Sequence, residues 1–167
     1  MDVLELAKAA LALFAIVDPV GTIPVFLSTT RGFADAQRKL AARVAAVTVF
    51  GTLAAFALLG EPLLAFFGIR IASFSVAGGL LLLLLSLSMV QAHISPQRQT
   101  PEEAEEATER ESVGVVPLGV PLLAGPGAIT HVIVAASAAP GGIAYQTALF
   151  LPIALVALSV WLSFRLA

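Results

Sequence analysis

Long apolar runs alternate with short polar clusters along this chain of 167 residues. The runs near 9–30, 42–60, 71–92, 114–138 and 144–164 each approach the roughly 17 to 25 residues that a helix needs to cross a bilayer. The pattern therefore predicts five spanning helices. Charges fall between the runs rather than along one face of them, as they do around spanning helices and not in amphipathic soluble ones. Period-two alternation is missing, most plainly in the uninterrupted Gly79–Leu85, which argues against a β-barrel. The stretch from Glu61 to Arg70 is apolar but too brief to cross, and reads as an interfacial turn or helix.

Two runs are interrupted near their middles. One reads Phe14-Ala-Ile-Val-Asp18-Pro19-Val-Gly21-Thr22-Ile-Pro24-Val-Phe26, the other Val120-Pro121-Leu-Leu-Ala-Gly125-Pro126-Gly127-Ala128-Ile-Thr130-His131-Val-Ile-Val134. Proline disfavours helical geometry in the residue before it and suits the first position of a new helix. Asp18 and Gly125 are thus expected as N-caps, with Pro19 and Pro126 at the first helical positions. Each run becomes two half-helices, and the second half presents unpaired N–H groups and a positive dipole end near mid-membrane, where a carboxylate could be held. Gly21, Gly125 and Gly127 let a ligand or an opposing helix approach the backbone, and Pro24 removes one more donor. Three crossings separate the first run from the fourth, so they run in opposite directions. The expected fold is an all-α transmembrane bundle with an inverted 3+3 repeat: a first repeat at 1–92, an acidic linker at 93–112, and an incomplete second repeat at 113–167.

Composition strengthens the membrane reading. With 59% hydrophobic and 12% charged residues and a mean hydropathy of +0.97, the chain carries more apolar surface than a soluble domain of this length buries. The absence of cysteine excludes disulfides and thiolate metal sites, and no metal site is expected. No basic stripe suggests nucleic acid. The first residues carry Asp2 and Glu5 against Lys8 with no small-residue cleavage site, so the first run is expected to be retained rather than cleaved as a signal peptide. Arg31, Arg38, Lys39 and Arg43, then Arg98 and Arg110, place loops 31–43 and 93–112 in the cytoplasm and the N-terminus outside, with Arg165 again inside. Thr100, Pro101 and Glu103 have the spacing of a helix start within the linker, beside Glu102, Glu105, Glu106, Glu109 and Glu111; a flexible charged linker accounts for them equally well.

Few residues carry candidate chemistry. Asp18 is the one acid placed inside a run, where a carboxylate costs about 2.5 to 3.5 kcal/mol and calls for compensation, either as a helix cap or as a partner for a ligand or coupling ion. His131, the one histidine inside a run, suits a proton relay or a packed, hydrogen-bonded role. Thr22 and Thr130 could bind a ligand or satisfy freed carbonyls. Gly78, Gly79, Ser86 and Ser88, like Ala41, Ala45 and Ala46, suit close helix packing. No catalytic residue is expected, since the chain has no His-Glu-x-x-His, no Gly-x-Ser-x-Gly, and a Gly-Pro-Gly that lacks the context of a dinucleotide fingerprint.

The two broken runs, with Val76-Ala-Gly-Gly79 and Glu111-Ser-Val-Gly-Val-Val-Pro-Leu-Gly-Val-Pro, closely resemble the MarC family of bacterial inner-membrane proteins. That resemblance implies a six-span protein of the kind grouped with small-solute and neutral amino-acid transporters, with Asp18, Pro19, Gly21, Pro24, Gly125, Pro126 and Gly127 as motif positions. Relatives carry a sixth span that this chain does not reach by Ala167. The expected function is secondary transport or export of a small solute such as glycine or alanine, at a site formed by Asp18, Pro19, Gly21, Thr22, Gly125, Pro126, Gly127, Ala128 and Thr130. His131 stands beside it as a candidate relay. A proton or sodium ion could couple the transport, no cofactor is expected, and a homo-oligomer is compatible with the pattern. A non-transporting scaffold or regulatory subunit is the alternative.

Overall fold

A computed structural model describes residues 3–90, 123–137 and 147–167. The expected linker at 93–112, its helix-start signal at Thr100-Pro101-Glu103 and the part of the fourth run before Leu123 lie outside the described residues. Six helices and no strand make up what is described: α1 (Val3–Val17), α2 (Ile23–Thr29), α3 (Asp35–Phe66), α4 (Ile71–Val90), α5 (Pro126–Ser137) and α6 (Phe150–Leu166).

The third element corrects the expected boundaries. A 42–60 helix followed by an interfacial segment is replaced by one helix of 32 residues that carries Pro62 inside it. Pro62 withholds one backbone donor without ending the helix, which closes further on. Gly68 takes φ 67, its N–H bonds the Ala65 carbonyl at 3.0 Å, and the Ile69 N–H bonds the Leu64 carbonyl at 2.8 Å. This paired closure around a left-handed glycine is the Schellman motif. At the other end, the Gln37 side chain accepts the Ala34 N–H at 3.0 Å and covers one free donor. The helix is about 48 Å long at 1.5 Å per residue, so its polar first turns extend beyond a hydrocarbon core of about 30 Å. Among the described residues it is the one helix both long and apolar enough to cross a membrane; Ile71–Leu84, Pro126–Ser137 and Phe150–Leu166 are apolar but shorter.

The short α5 sits at the centre. Gly60 of α3 faces the Ile133 side chain, Gly78 of α4 faces Thr130, and Gly127 faces Leu82 of α4 and Ile16 of α1. Since Gly78 meets Thr130 while Leu82 meets Gly127, α4 and α5 run antiparallel. The pairs Ile16 with Gly127 and Ala9 with His131 give the same relation for α1 and α5. Around this hub, α3 turns a small-residue face inward (Ala41, Ala42, Ala45, Ala46, Ala57) with Val49 and Leu53, and meets Val156, Val160 and Phe164 of α6 in one buried cluster. The tilted Phe50–Phe150 pair, 6.3 Å between ring centres, marks one level of the α3–α6 contact. The stacked Phe26–Phe164 pair at 4.2 Å ties α2 to the far end of α6. Outward faces are apolar instead of polar: Val47, Leu59, Leu80, Leu83, Leu84 and Leu155 are each at least half exposed. Such a surface suits hydrocarbon as its solvent and not water.

The glycine contacts make a sharp prediction. A Cβ on Gly78 would lie 2.7 Å from both Thr130 Cβ and Oγ1, and the Thr130 hydroxyl is already held at 2.7 Å by the Pro126 carbonyl, so it cannot swing aside freely. Gly78→Ala is expected to cost about 1 to 3 kcal/mol by overpacking. Its neighbour Gly79 has nothing within 4 Å. Gly79→Ala should be neutral or stabilising by up to about 1 kcal/mol through helix propensity. Melting temperatures of the two variants in detergent, compared side by side, check this contrast.

Candidate solute site at two helix breaks

Both interruptions are present, built differently. In the first, α1 ends at Val17, residues 18–22 form a turn, and α2 begins at Ile23. Asp18 has φ 44, in the left-handed region that aspartate tolerates better than most residues. Its carboxylate accepts the Gly21 N–H at 2.9 Å, the bond an N-cap makes to the third residue after it. The regular helix nevertheless starts four residues later than the Asp-Pro pair predicts. Thr22 takes the cap position, and Pro24 rather than Pro19 occupies the first turn, where a missing N–H costs nothing. The physical reason is the turn of the chain at Asp18, which carries Pro19 into the core and leaves Asp18 exposed.

In the second break, Gly125 is non-helical and α5 starts at Pro126, as the sequence leads one to expect. The Ile129 N–H closes the first turn onto the Gly125 carbonyl at 3.1 Å. Gly127 and Ala128 are buried in that first turn, where backbone N–H groups have no partner inside the helix.

The two breaks lie at one level of the bundle. An ideal Cβ on Gly127 falls 3.4 Å from Ile16 Cγ2, so the first turn of α5 abuts the last turn of α1, and Asp18 follows Ile16 by two residues. The carbonyl end of one half-helix is therefore set beside the amide end of another, opposite partial charges facing each other. Asp18 Oδ1 is engaged by Gly21, whereas Oδ2 has no hydrogen-bond partner among the described residues.

Other sequence-selected groups are engaged locally. The Thr22 hydroxyl donates to the Asp18 and Pro19 carbonyls at 3.2 and 3.1 Å, and the Thr130 hydroxyl to the Pro126 carbonyl. Gly21 makes room for the Asp18 carboxylate itself, since a Cβ there would run into it. Gly127 admits neighbouring helices. His131 stands apart from the breaks, one turn deeper on α5, in a cavity of about 10 Å³ lined by Ala9 and Leu13 of α1, Val132 and Ala135 of α5, and Leu149, Pro152 and Ile153. That is space for about one water. Its Nε2 is buried without a partner among the described residues. Gly60, which sequence reasoning passed over, is as tightly packed as Gly78; its place near the end of an apolar run gave no cue to a crossing helix.

Among the described residues no group of three or more His, Cys, Asp or Glu side chains could hold a metal ion. A family model for the MarC family of integral membrane proteins matches residues 3–167. The chain is 42% identical over 160 residues to the UPF0056 membrane protein YhcE of Escherichia coli (strain K12), covering 96% of this chain and 74% of that one. It is 36% identical over 156 residues to the UPF0056 membrane protein YvbG of Bacillus subtilis (strain 168), covering 93% and 74%. A UPF0056 membrane protein of Aquifex aeolicus (strain VF5) is 38% identical over 127 residues, covering 76% and 59%. No solved structure gives a significant match.

Proposed function

The chain belongs to the MarC family of integral membrane proteins, and from that premise we propose that it is a secondary transporter or exporter of a small zwitterionic solute, bound where the two helix breaks adjoin. The observation that carries this reading is the abutment of Gly127 on Ile16, which sets the α5 amide end beside the turn at Asp18. The solute carboxylate would meet the first turn of α5 at Gly125, Pro126, Gly127 and Ala128, and its ammonium would pair with Oδ2 of Asp18, which has no partner among the described residues. Pro19, Gly21, Thr22 and Thr130 shape the two turns rather than touch the solute, because their polar groups are engaged within those turns: the Gly21 N–H by the Asp18 carboxylate, the Thr22 hydroxyl by the Pro19 carbonyl and the Thr130 hydroxyl by the Pro126 carbonyl. Glycine and alanine suit a site built from backbone, which leaves little room for a side chain.

The antiparallel course of α1 and α5 is what an inverted repeat requires, with α1 as the first half of one broken span and α5 as the second half of its mate. In a six-span protein of the bacterial inner membrane the end carrying Arg31, Arg38, Lys39 and Arg43 faces the cytoplasm. His131, whose Nε2 has no partner among the described residues, would accept a coupling proton; a sodium ion would use the Asp18 turn instead. A second reading, a non-transporting scaffold, is favoured by one observation: Gly60, Gly78 and Gly127 all admit neighbouring side chains and leave no gap at those points. Counterflow separates the two. Purified protein in liposomes loaded with unlabelled alanine should accumulate labelled alanine transiently above equilibrium; uptake equal to that of empty liposomes, for glycine and alanine alike, sets the transporter reading aside.

A further inference from the structure

Among the described residues, the ends of the bundle differ sharply in charge. The Phe26–Phe164 stack brings the end of α2 beside the end of α6. The Phe50–Phe150 contact then fixes the level of α3 against α6. Arg38 lies twelve residues before Phe50, about 18 Å, and Arg165 fifteen residues beyond Phe150, about 22 Å, on helices that run antiparallel. The two arginines therefore come to the same end, together with Arg31 in the α2–α3 turn and with Lys39 and Arg43 on the first turns of α3. Five cations gather there against one described carboxylate, Asp35. The described charges elsewhere, apart from Asp18, are Glu5, Lys8, Glu61 and Arg70, two of each sign.

None of the five cations has an ion-pair partner among the described residues. Arg38 shows this most clearly. It falls four and seven residues before Ala42 and Ala45, on the buried face of α3, so its stem lies over the end of the core, and its Nε is buried with no hydrogen-bond partner among the described residues. The Arg165 guanidinium is held 4.9 Å above the Trp161 ring, a cation–π contact that fixes it at this level. Large apolar side chains flank the cations: Leu40 beside Lys39 is 51% exposed, and Leu162, one turn below Arg165 on α6, is 42% exposed. Cation above and bare hydrocarbon below is the profile of a phospholipid, whose phosphate and acyl chains are joined in one molecule. A soluble acidic peptide would leave the leucines uncovered.

We propose that this end of the bundle is a binding surface for anionic phospholipid headgroups. The phosphate meets Arg38 and Arg165, Lys39 and Arg43 add attraction, and the acyl chains lie along Leu40 and Leu162. The proposal is independent of whether the protein transports a solute.

The test is retention of phosphatidylglycerol by the detergent-solubilised full chain, read by native mass spectrometry, with phosphatidylcholine as the neutral lipid and inorganic phosphate as the free anion. Phosphatidylglycerol should be retained at least tenfold more strongly than phosphatidylcholine, and inorganic phosphate should not displace it at equal concentration. At about fivefold for each cation, the double variant Arg38→Gln/Arg165→Gln should lose about twenty-fivefold. Because Arg38 touches the core, the exposed pair Lys39→Gln/Arg43→Gln provides a second measure, with a loss of about tenfold or more, while Glu61→Gln/Arg70→Gln at the other end should change nothing. Equal retention of both lipids would overturn the proposal, as would displacement by inorganic phosphate. So would a rise above tenfold on replacing Glu102, Glu103, Glu105, Glu106, Glu109 and Glu111 with Gln, since the cations would then be occupied by the chain's own acids.

Discussion

Phe26→Ala is expected to destabilise the protein by about 3 to 5 kcal/mol, the range for truncating a fully buried phenylalanine. Phe26 has no exposed surface, and its ring lies flat against Phe164 at 4.2 Å with 7° between the planes. The helix that carries it, α2, has only seven residues, too few to be stable alone, so tertiary anchoring decides whether it forms. The neighbouring Thr30, also fully buried, closes α2 by donating its hydroxyl to the Phe26 carbonyl at 2.8 Å. Removing the ring should loosen α2 as a unit and with it the turn at 18–22, which has α2 as its downstream support. Thermal melting in detergent measures the loss; Phe26→Leu, which keeps much of the volume but not the stacking, should fall between wild type and alanine.

The second large effect is on function. In Asp18→Asn the amide oxygen still accepts the Gly21 N–H, and asparagine tolerates a positive φ as aspartate does, so stability should change little. What disappears is the negative charge proposed to face the solute ammonium. Removing the charged partner of a hydrogen-bonded ammonium costs about 1.5 to 3 kcal/mol, so alanine counterflow should fall about tenfold to a hundredfold in a protein that melts nearly as wild type does. Asp18→Ala should lose both counterflow and about 1 kcal/mol of stability, because the cap bond goes with the charge. Counterflow at the wild-type rate in Asp18→Asn would remove this carboxylate from the site.

Much of this architecture is legible in the sequence, and the failures have physical causes. The breaks announce themselves because proline beside glycine in an apolar run has few structural explanations, and Pro126 opens α5 where that rule puts it. The first break obeys the same rule only in part. Whether Asp18 adopts a left-handed backbone depends on the Gly21 N–H it can reach and on Pro19 finding a place in the core, neither of which a local rule describes. Pro62 reads as the end of a helix, yet the helix runs on to Phe66 and closes at the left-handed Gly68, six residues beyond. Small residues signal close packing, but their partners depend on how α5 is threaded between α1, α3 and α4, which is long-range information. The basic cluster after α2 reads as an orientation signal; its union with Arg165 follows only from the antiparallel pairing of α3 and α6.

The proposed site exists only if the end of α1 and the start of α5 adjoin at their breaks. Since the chain has no cysteine, oxidative cross-linking of the double variant Ile16→Cys/Gly127→Cys in native membranes reads that proximity. Rapid disulfide formation is expected, seen as a change in gel mobility after cleavage within the linker. Two thiols that both react with a small maleimide but do not cross-link with each other would contradict it.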